Sequence, residues 1–275
     1  MAAGHSRVRF RVLLAAFSLL TLVAVPVLAQ PALTLEQQEA FLKSARIVRT
    51  RAASKGVTGT TRATLTDGTV THDAQIQLVD ESKQVFQSKQ GVEFNFRDSW
   101  RYNVAAYRLN RVLQLGQIPP SVERTYNSKA GAFTWWIDDV MMDEAERLKT
   151  KAPVPDNDSW NRQMWHVRIF DQLIYNVDRN LGNLLIDKTW NVWMIDHSRA
   201  FRLIETLKSP KDLRKIERTA LERLKALDAA ALKAAVGDYL TPDEQKRLLV
   251  RRDAIVKLFE SQGAAALFDA TPTPH

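Results

Sequence analysis

Tyr175-Asn176-Val177-Asp178-Arg179-Asn180-Leu181-Gly182-Asn183-Leu184-Leu185-Ile186, followed after a short gap by Trp193-Met194-Ile195-Asp196-His197, is the stretch on which the fold turns. It sets an Asp, an Asn five residues later, and a second Asp thirteen residues after that, at the end of an apolar run. Moving a phosphoryl group asks for a carboxylate to orient the acceptor hydroxyl and for cations to neutralise the phosphates. Asp178 has the place of the orienting carboxylate. Asn183 and Asp196 offer oxygen ligands, which magnesium prefers. Asp, Asn and Gly are also common turn residues, and the spacing of Asp178 and Asn183 alone fits a plain turn equally well. The apolar strand that ends in Asp196 favours the chemical reading.

Upstream, Asp158 is placed to cap a helix with Trp160, Met164, Val167, Leu173 and Ile174 on one face, leading straight into Asp178. Residues 184–186 and 192–195, joined by Asp187-Lys188-Thr189, read as a short hairpin that returns Asp196 to Asn183. Before residue 138 the pattern is β-rich. Residues 46–52 alternate, and a hairpin turns at Asp67-Gly68. Two further strands span 121–126 and 132–137. One helix interrupts them, capped by Asp98 with Trp100, Val104, Tyr107 and Val112 at helical spacing, and stopping near Gly116 and Pro119-Pro120. Asp138, Asp139, Asp143 and Glu144 open a helix. Pro210, Asp228 and the capping box Thr241-Pro242-Asp243-Glu244 start later helices, the last ending near Gly263.

Asp178 to Ile186 with Ile195-Asp196-His197 resembles the catalytic and metal-binding motifs of phosphatidylinositol kinases, HipA-type kinases and the kinases of the secretory pathway. Arg101-Tyr102-Asn103-Val104-Ala105-Ala106-Tyr107-Arg108-Leu109 is similar to the helix those proteins place against the nucleotide. The resemblance covers roughly residues 45–205. It implies an α+β fold of two lobes, here in a bacterial-type exported member. It also implies ATP with magnesium or manganese, and transfer to a hydroxyl on a protein, sugar or lipid headgroup.

The nucleotide side of the pattern is altered. Gly56, Gly59 and Thr60 lie where a glycine loop would bring backbone N–H groups to phosphates, although a pair of glycines also makes an ordinary turn. The kinase strand lysine and its glutamate partner correspond to Gln77 and Asn103. Losing one charge alone would strand the other in the interior, at several kcal/mol. An amide–amide pair keeps a hydrogen bond without that cost. Lys55, Arg62, Lys83 and Lys89 are the cations available to replace the lysine. Trp136 and Ile137 sit where a hinge would hold the base, and core packing accounts for them as well. His197 reads as structural, and His72 and His166 have no partner in sequence. Two rival readings follow: a binding module that has lost catalysis, or transfer of the nucleotide instead of its phosphate.

The 275 residues contain no cysteine, which excludes disulfides and thiolate chemistry. Arg7, Arg9 and Arg11, the apolar run 12–25 and Val27-Leu28-Ala29 form a signal peptide over 1–29, with an uncleaved anchor as the alternative. Cleavage leaves no membrane span and sends the chain to the periplasm or outside the cell. It also removes three arginines from a formal charge of +8, and what remains does not single out nucleic acid as a partner. The expected layout is a sheet-rich lobe over 30–137, a helical lobe over 138–268 and a frayed tail over 269–275.

Overall fold

The computed structural model describes residues 33–52, 60–88 and 91–269, together with Met1. The signal peptide, Gly56, Gly59, Lys55 and Lys89 lie outside the described residues, as does the tail from residue 270. The chain from Leu33 begins with α1 (Leu35–Ser44), closed by a capping box in which Thr34 and Gln37 exchange backbone and side-chain bonds. Five antiparallel strands follow in a sheet ordered β1-β2-β3-β7-β6: β1 (Arg46–Ala52), β2 (Thr61–Thr66), β3 (Thr71–Gln77), β6 (Ser121–Tyr126) and β7 (Lys129–Trp135).

Between β3 and the helix stands a feature the alternation pattern did not predict, a hairpin of β4 (Asp80–Ser88) and β5 (Gly91–Ser99). The helix α2 (Arg101–Leu113) then packs beneath the sheet. Asp98 is therefore the penultimate residue of β5 and not a helix cap. Trp100 holds the cap position, and its side chain makes no capping bond.

Strand alternation gives the sheet two chemically different faces. Ala63, Leu65, Ala74, Ile76, Val122 and Phe133 bury against Phe41 and Leu42 of α1. The intervening positions Arg62, Gln75, Gln77, Ser121 and Thr134 are polar and face the opposite way. Gly131 lets β7 approach β3 closely, since a Cβ there would stand 2.7 Å from the Gln77 carbonyl oxygen and 2.4 Å from a Leu78 methyl.

After the sheet come β8 (Val140–Asp143), α3 (Glu144–Thr150), α4 (Asn157–Leu173), β9 (Leu184–Asp187) and β10 (Val192–Met194), with β8, β9 and β10 forming a small antiparallel sheet. Asp143 caps α3, as the acidic run implied. The α4 cap is Asp156, two residues before the expected Asp158. Pro210 opens only a 3-10 turn. The next full helix is α5 (Arg218–Ala226), after the two-residue strand β11 (Ile216–Glu217). The chain closes with α6 (Ala229–Val236), α7 (Pro242–Gln262) and β12 (Leu267–Phe268).

One large core joins α2, α4, the β9–β10 hairpin and α5 to α7. Inside it lies Arg251 of α7, fully buried, whose guanidinium donates to the carbonyls of Leu173 (2.8 Å), Arg202 (3.0 Å) and Ile204. Burial pulls its pKa down to about 10, so it remains charged at neutral pH. The overall plan is α+β, a sheet-rich first part and a helical second part. No helix among the described residues is long and apolar enough to cross a membrane.

Candidate functional site

The final turn of α4 carries Asp171, which receives the Arg179 guanidinium through Nε (2.9 Å) and Nη2 (3.1 Å). The same guanidinium donates from Nη1 to the Asn183 carbonyl at 3.0 Å and the Ile195 carbonyl at 2.8 Å. Its Nη2 also reaches His197 Nε2 at 2.9 Å. One planar fork thus ties the helix end, the Asn183 turn and both flanks of Asp196 together, a geometry lysine cannot reproduce. Ile195 N–H adds a direct bond to the Asn183 carbonyl at 3.1 Å. Asn183 donates its amide nitrogen to the Asp178 carbonyl at 3.4 Å, which leaves its amide oxygen as the acceptor to offer a cation.

Asp178 itself is half-exposed, with Arg199 Nη1 at 3.9 Å. Asp196 occupies the left-handed region at φ 53°, a conformation Asp tolerates better than most residues, and its Oδ1 accepts from the Ser198 hydroxyl at 3.0 Å. His197 is structural, though not through strand alternation, because β10 has already ended at Met194. It is buried edge-on to Phe170, and burial together with the Arg179 charge holds its pKa well below the usual histidine range. It is neutral, with Nε2 accepting from Arg179 and the proton on Nδ1.

The amide pair expected from the sequence is present. Asn103 Nδ2 donates to Gln77 Oε1, both side chains being buried. The orientation of this pair follows from a third group. The backbone N–H of His197 donates to Asn103 Oδ1 at 2.7 Å, which turns the Asn103 nitrogen toward Gln77. Gln77 must then accept through its oxygen, and its Nε2 is left buried with no hydrogen-bond partner.

Both described cations are bonded to carboxylates. Lys83 stands on the hairpin, bonded to Glu81 at 2.9 Å. Arg62 is bonded to Asp73 and stacked 3.9 Å over the Trp136 ring. Thr60 immediately precedes β2, whose Thr61 pairs with Ile76, so the chain passes beside Gln77 there. Trp136 and Ile137 line a separate cavity of about 610 Å³ with Tyr107, Asn110, Ile118 and Trp193. Gln77, Asp178, Asn183 and Asp196 take no part in lining that cavity.

Four side chains that the sequence reading did not place at the site, Asp171, Arg179, Arg199 and Asp98, belong to this region. Arg179 is in the quoted motif, but its partner Asp171 carries no signal beyond a polar residue in a helix. Arg199 joins Asp178 to Glu93 of the unforeseen hairpin. Asp98 lies beside Ser198 and Asp196. Burial, and to a smaller degree the Asp196 charge, push its carboxyl above the ordinary range against a hydrogen bond from Ser198. His72 and His166 find partners in Asp138 (2.7 Å) and Glu217 (3.4 Å), away from this region. No cluster of three or more His, Asp or Glu side chains suited to a metal occurs among the described residues.

No family model matches the chain, and no curated protein matches it. Solved structures do. Hydra Fam20, solved with sugar, superposes with a TM-score of 0.61 at 16% identity, covering 86% of this chain and 92% of that one. The Golgi casein kinase with Mn/ADP bound gives 0.55 at 14% identity, covering 86% and 78%. The Helicobacter pylori proinflammatory kinase CtkA gives 0.50 at 10% identity, covering 79% and 95%. The fold is that of these atypical kinases.

Proposed function

We propose that the protein is a phosphotransferase that uses ATP with magnesium or manganese and delivers phosphate to a hydroxyl on a protein, sugar or lipid headgroup. The observation that carries this reading is the Arg179 fork, which holds Asn183 and the flanks of Asp196 beside Asp178 within a kinase fold. The residues fit a hard divalent cation: the Asp196 carboxylate and the Asn183 amide oxygen are oxygen donors, and neighbouring Asp98 keeps a buried carboxylate oxygen with no partner. When bound, the cation neutralises phosphate charge. Asp178 orients the acceptor hydroxyl and takes its proton. Gln77 Nε2 supplies a neutral donor to a phosphate oxygen where a kinase uses lysine. Thr60 lies beside it, Gly56 and Gly59 complete the covering loop, and Trp136 and Ile137 border the base. The neighbours solved with Mn/ADP and with sugar support nucleotide, metal and a polyhydroxylated acceptor as probes. Residues 1–29 support export, with the mature enzyme acting in the periplasm or beyond it.

The uncharged Gln77–Asn103 pair favours one other reading, a nucleotide-binding module without efficient transfer. Calorimetry of ATP binding with and without magnesium, on wild type and Asp196→Ala, tests the first. Magnesium-dependent binding lost in the variant is the expected result, and its absence from wild type would sink the enzyme reading. Mass spectrometry of an acceptor then separates added phosphate, added nucleotide and no product.

A further inference from the structure

β5 does not end in solvent. The Ser99 N–H donates to the Ser198 carbonyl at 2.9 Å, which lays the strand end against the segment that follows Asp196. Asp98, one residue earlier, is only 6% exposed. The Ser198 hydroxyl donates to Asp196 Oδ1 and is also within hydrogen-bond reach of the Asp98 carboxylate. A hydroxyl has one proton, so it can serve one of these carboxylates at a time. Asp98 Oδ1 is buried with no hydrogen-bond partner at all. The Arg199 guanidinium, whose charge acts on Asp98, makes its ion pairs with Glu93 and Asp178. Two carboxylates share one hydroxyl, and the charge of Arg199 reaches Asp98 without a direct bond, so the buried Oδ1 is left without a partner of its own.

We propose that Asp98 is a metal ligand, adding a second carboxylate to Asp196 and Asn183 in an all-oxygen site for a divalent cation. The inference rests on the metal reading of Asn183 and Asp196 and extends it to a residue of β5. Two carboxylates and an amide leave the remaining positions of a six-coordinate cation to water and phosphate, the usual division for magnesium.

The test titrates the full-length protein with MnCl2, read as loss of the free-ion signal in electron paramagnetic resonance. Asp98→Asn keeps the size and the bond to Ser198 but loses the charge. It is expected to weaken Mn²⁺ binding at least about tenfold and to abolish the rise in melting temperature on adding metal. Mn²⁺ binding at wild-type strength in Asp98→Asn, with binding lost in Asp196→Asn, overturns the proposal and leaves the proposed function standing. No Mn²⁺ binding by wild type overturns both. Should Asp98→Asn fail to fold, wild-type crystals soaked in MnCl2 decide the matter. An Asp98 oxygen in the coordination sphere supports the proposal, and an ion bound without it overturns it.

Discussion

Around Asp178, Asn183 and Asp196 the holding contacts are charged: a guanidinium against a carboxylate, the same guanidinium against two carbonyls, a second arginine beside Asp178. Across from them, on the sheet, Gln77 meets Asn103 amide to amide, and no charge is present on either. The two regions touch at one bond, from the His197 N–H to Asn103. The charged region is assembled from residues 171–197, close in sequence. The neutral one joins β3 to α2 and depends on the sheet and helix being docked. The comparison teaches that two adjoining regions of one fold can be held by opposite means, ionic contacts in one and an uncharged amide pair in the other, and that a buried pair stays tolerable without ions when neither member carries a charge.

Removing the Asp178 carboxylate, to which the proposed function gives the acceptor, is the strongest challenge to the charged side. Asp178→Asn should lower turnover about 10²–10⁴-fold with nucleotide affinity retained, measured by steady-state kinetics on whichever acceptor is found. A comparable loss of nucleotide affinity would move Asp178 from acceptor to phosphate.

The neutral side is challenged by restoring a charge. Gln77→Lys alone buries an unpaired ammonium and should cost about 3–5 kcal/mol in urea denaturation, while adding Asn103→Glu should recover most of that. If the double variant is no more stable than the single, the two positions do not act as a pair.

Arg179→Lys keeps the charge but loses the fork. Its expected effect is a 10–100-fold weaker affinity for Mn²⁺, because Asn183 and Asp196 lose the group that aligns them. Unchanged metal affinity would make the fork a purely structural tie. The smallest effect belongs to Lys83→Ala: less than about 1 kcal/mol in stability, since its partner Glu81 is also exposed. ATP affinity should stay near the wild-type value. A large drop in ATP affinity would identify Lys83 as the missing cation after all.

Much of the charged side was legible in the sequence because its residues lie within one motif and a short hairpin whose apolar alternation is clear. The pairing of Gln77 with Asn103 could be anticipated only through the kinase resemblance. Other parts left little trace. The β4–β5 hairpin is largely solvent-exposed, with Val85, Val92 and Phe94 among its exposed residues, so the burial that makes a strand visible is missing. That gap turned Asp98 into an apparent helix cap and hid its place beside Asp196. α1 carried a readable capping box, but its apolar content is slight and only Phe41 and Leu42 are buried. The Arg179–Asp171 pair joins a loop to the preceding helix, and a lone Asp on a helix gives no sign of its partner.

The buried Arg251 has a consequence for when the protein can begin to work. Its guanidinium holds the carbonyls of Arg202 and Ile204, in the segment that leaves Asp196, and that of Leu173 at the end of α4. Those carbonyls have this single cation as their shared anchor, and it belongs to α7, near the end of the described chain. During synthesis, the residues around Asp196 emerge long before their anchor does. A chain stalled or clipped ahead of Arg251 would carry every residue of the candidate site and still lack the fastening that holds its exit segment in place.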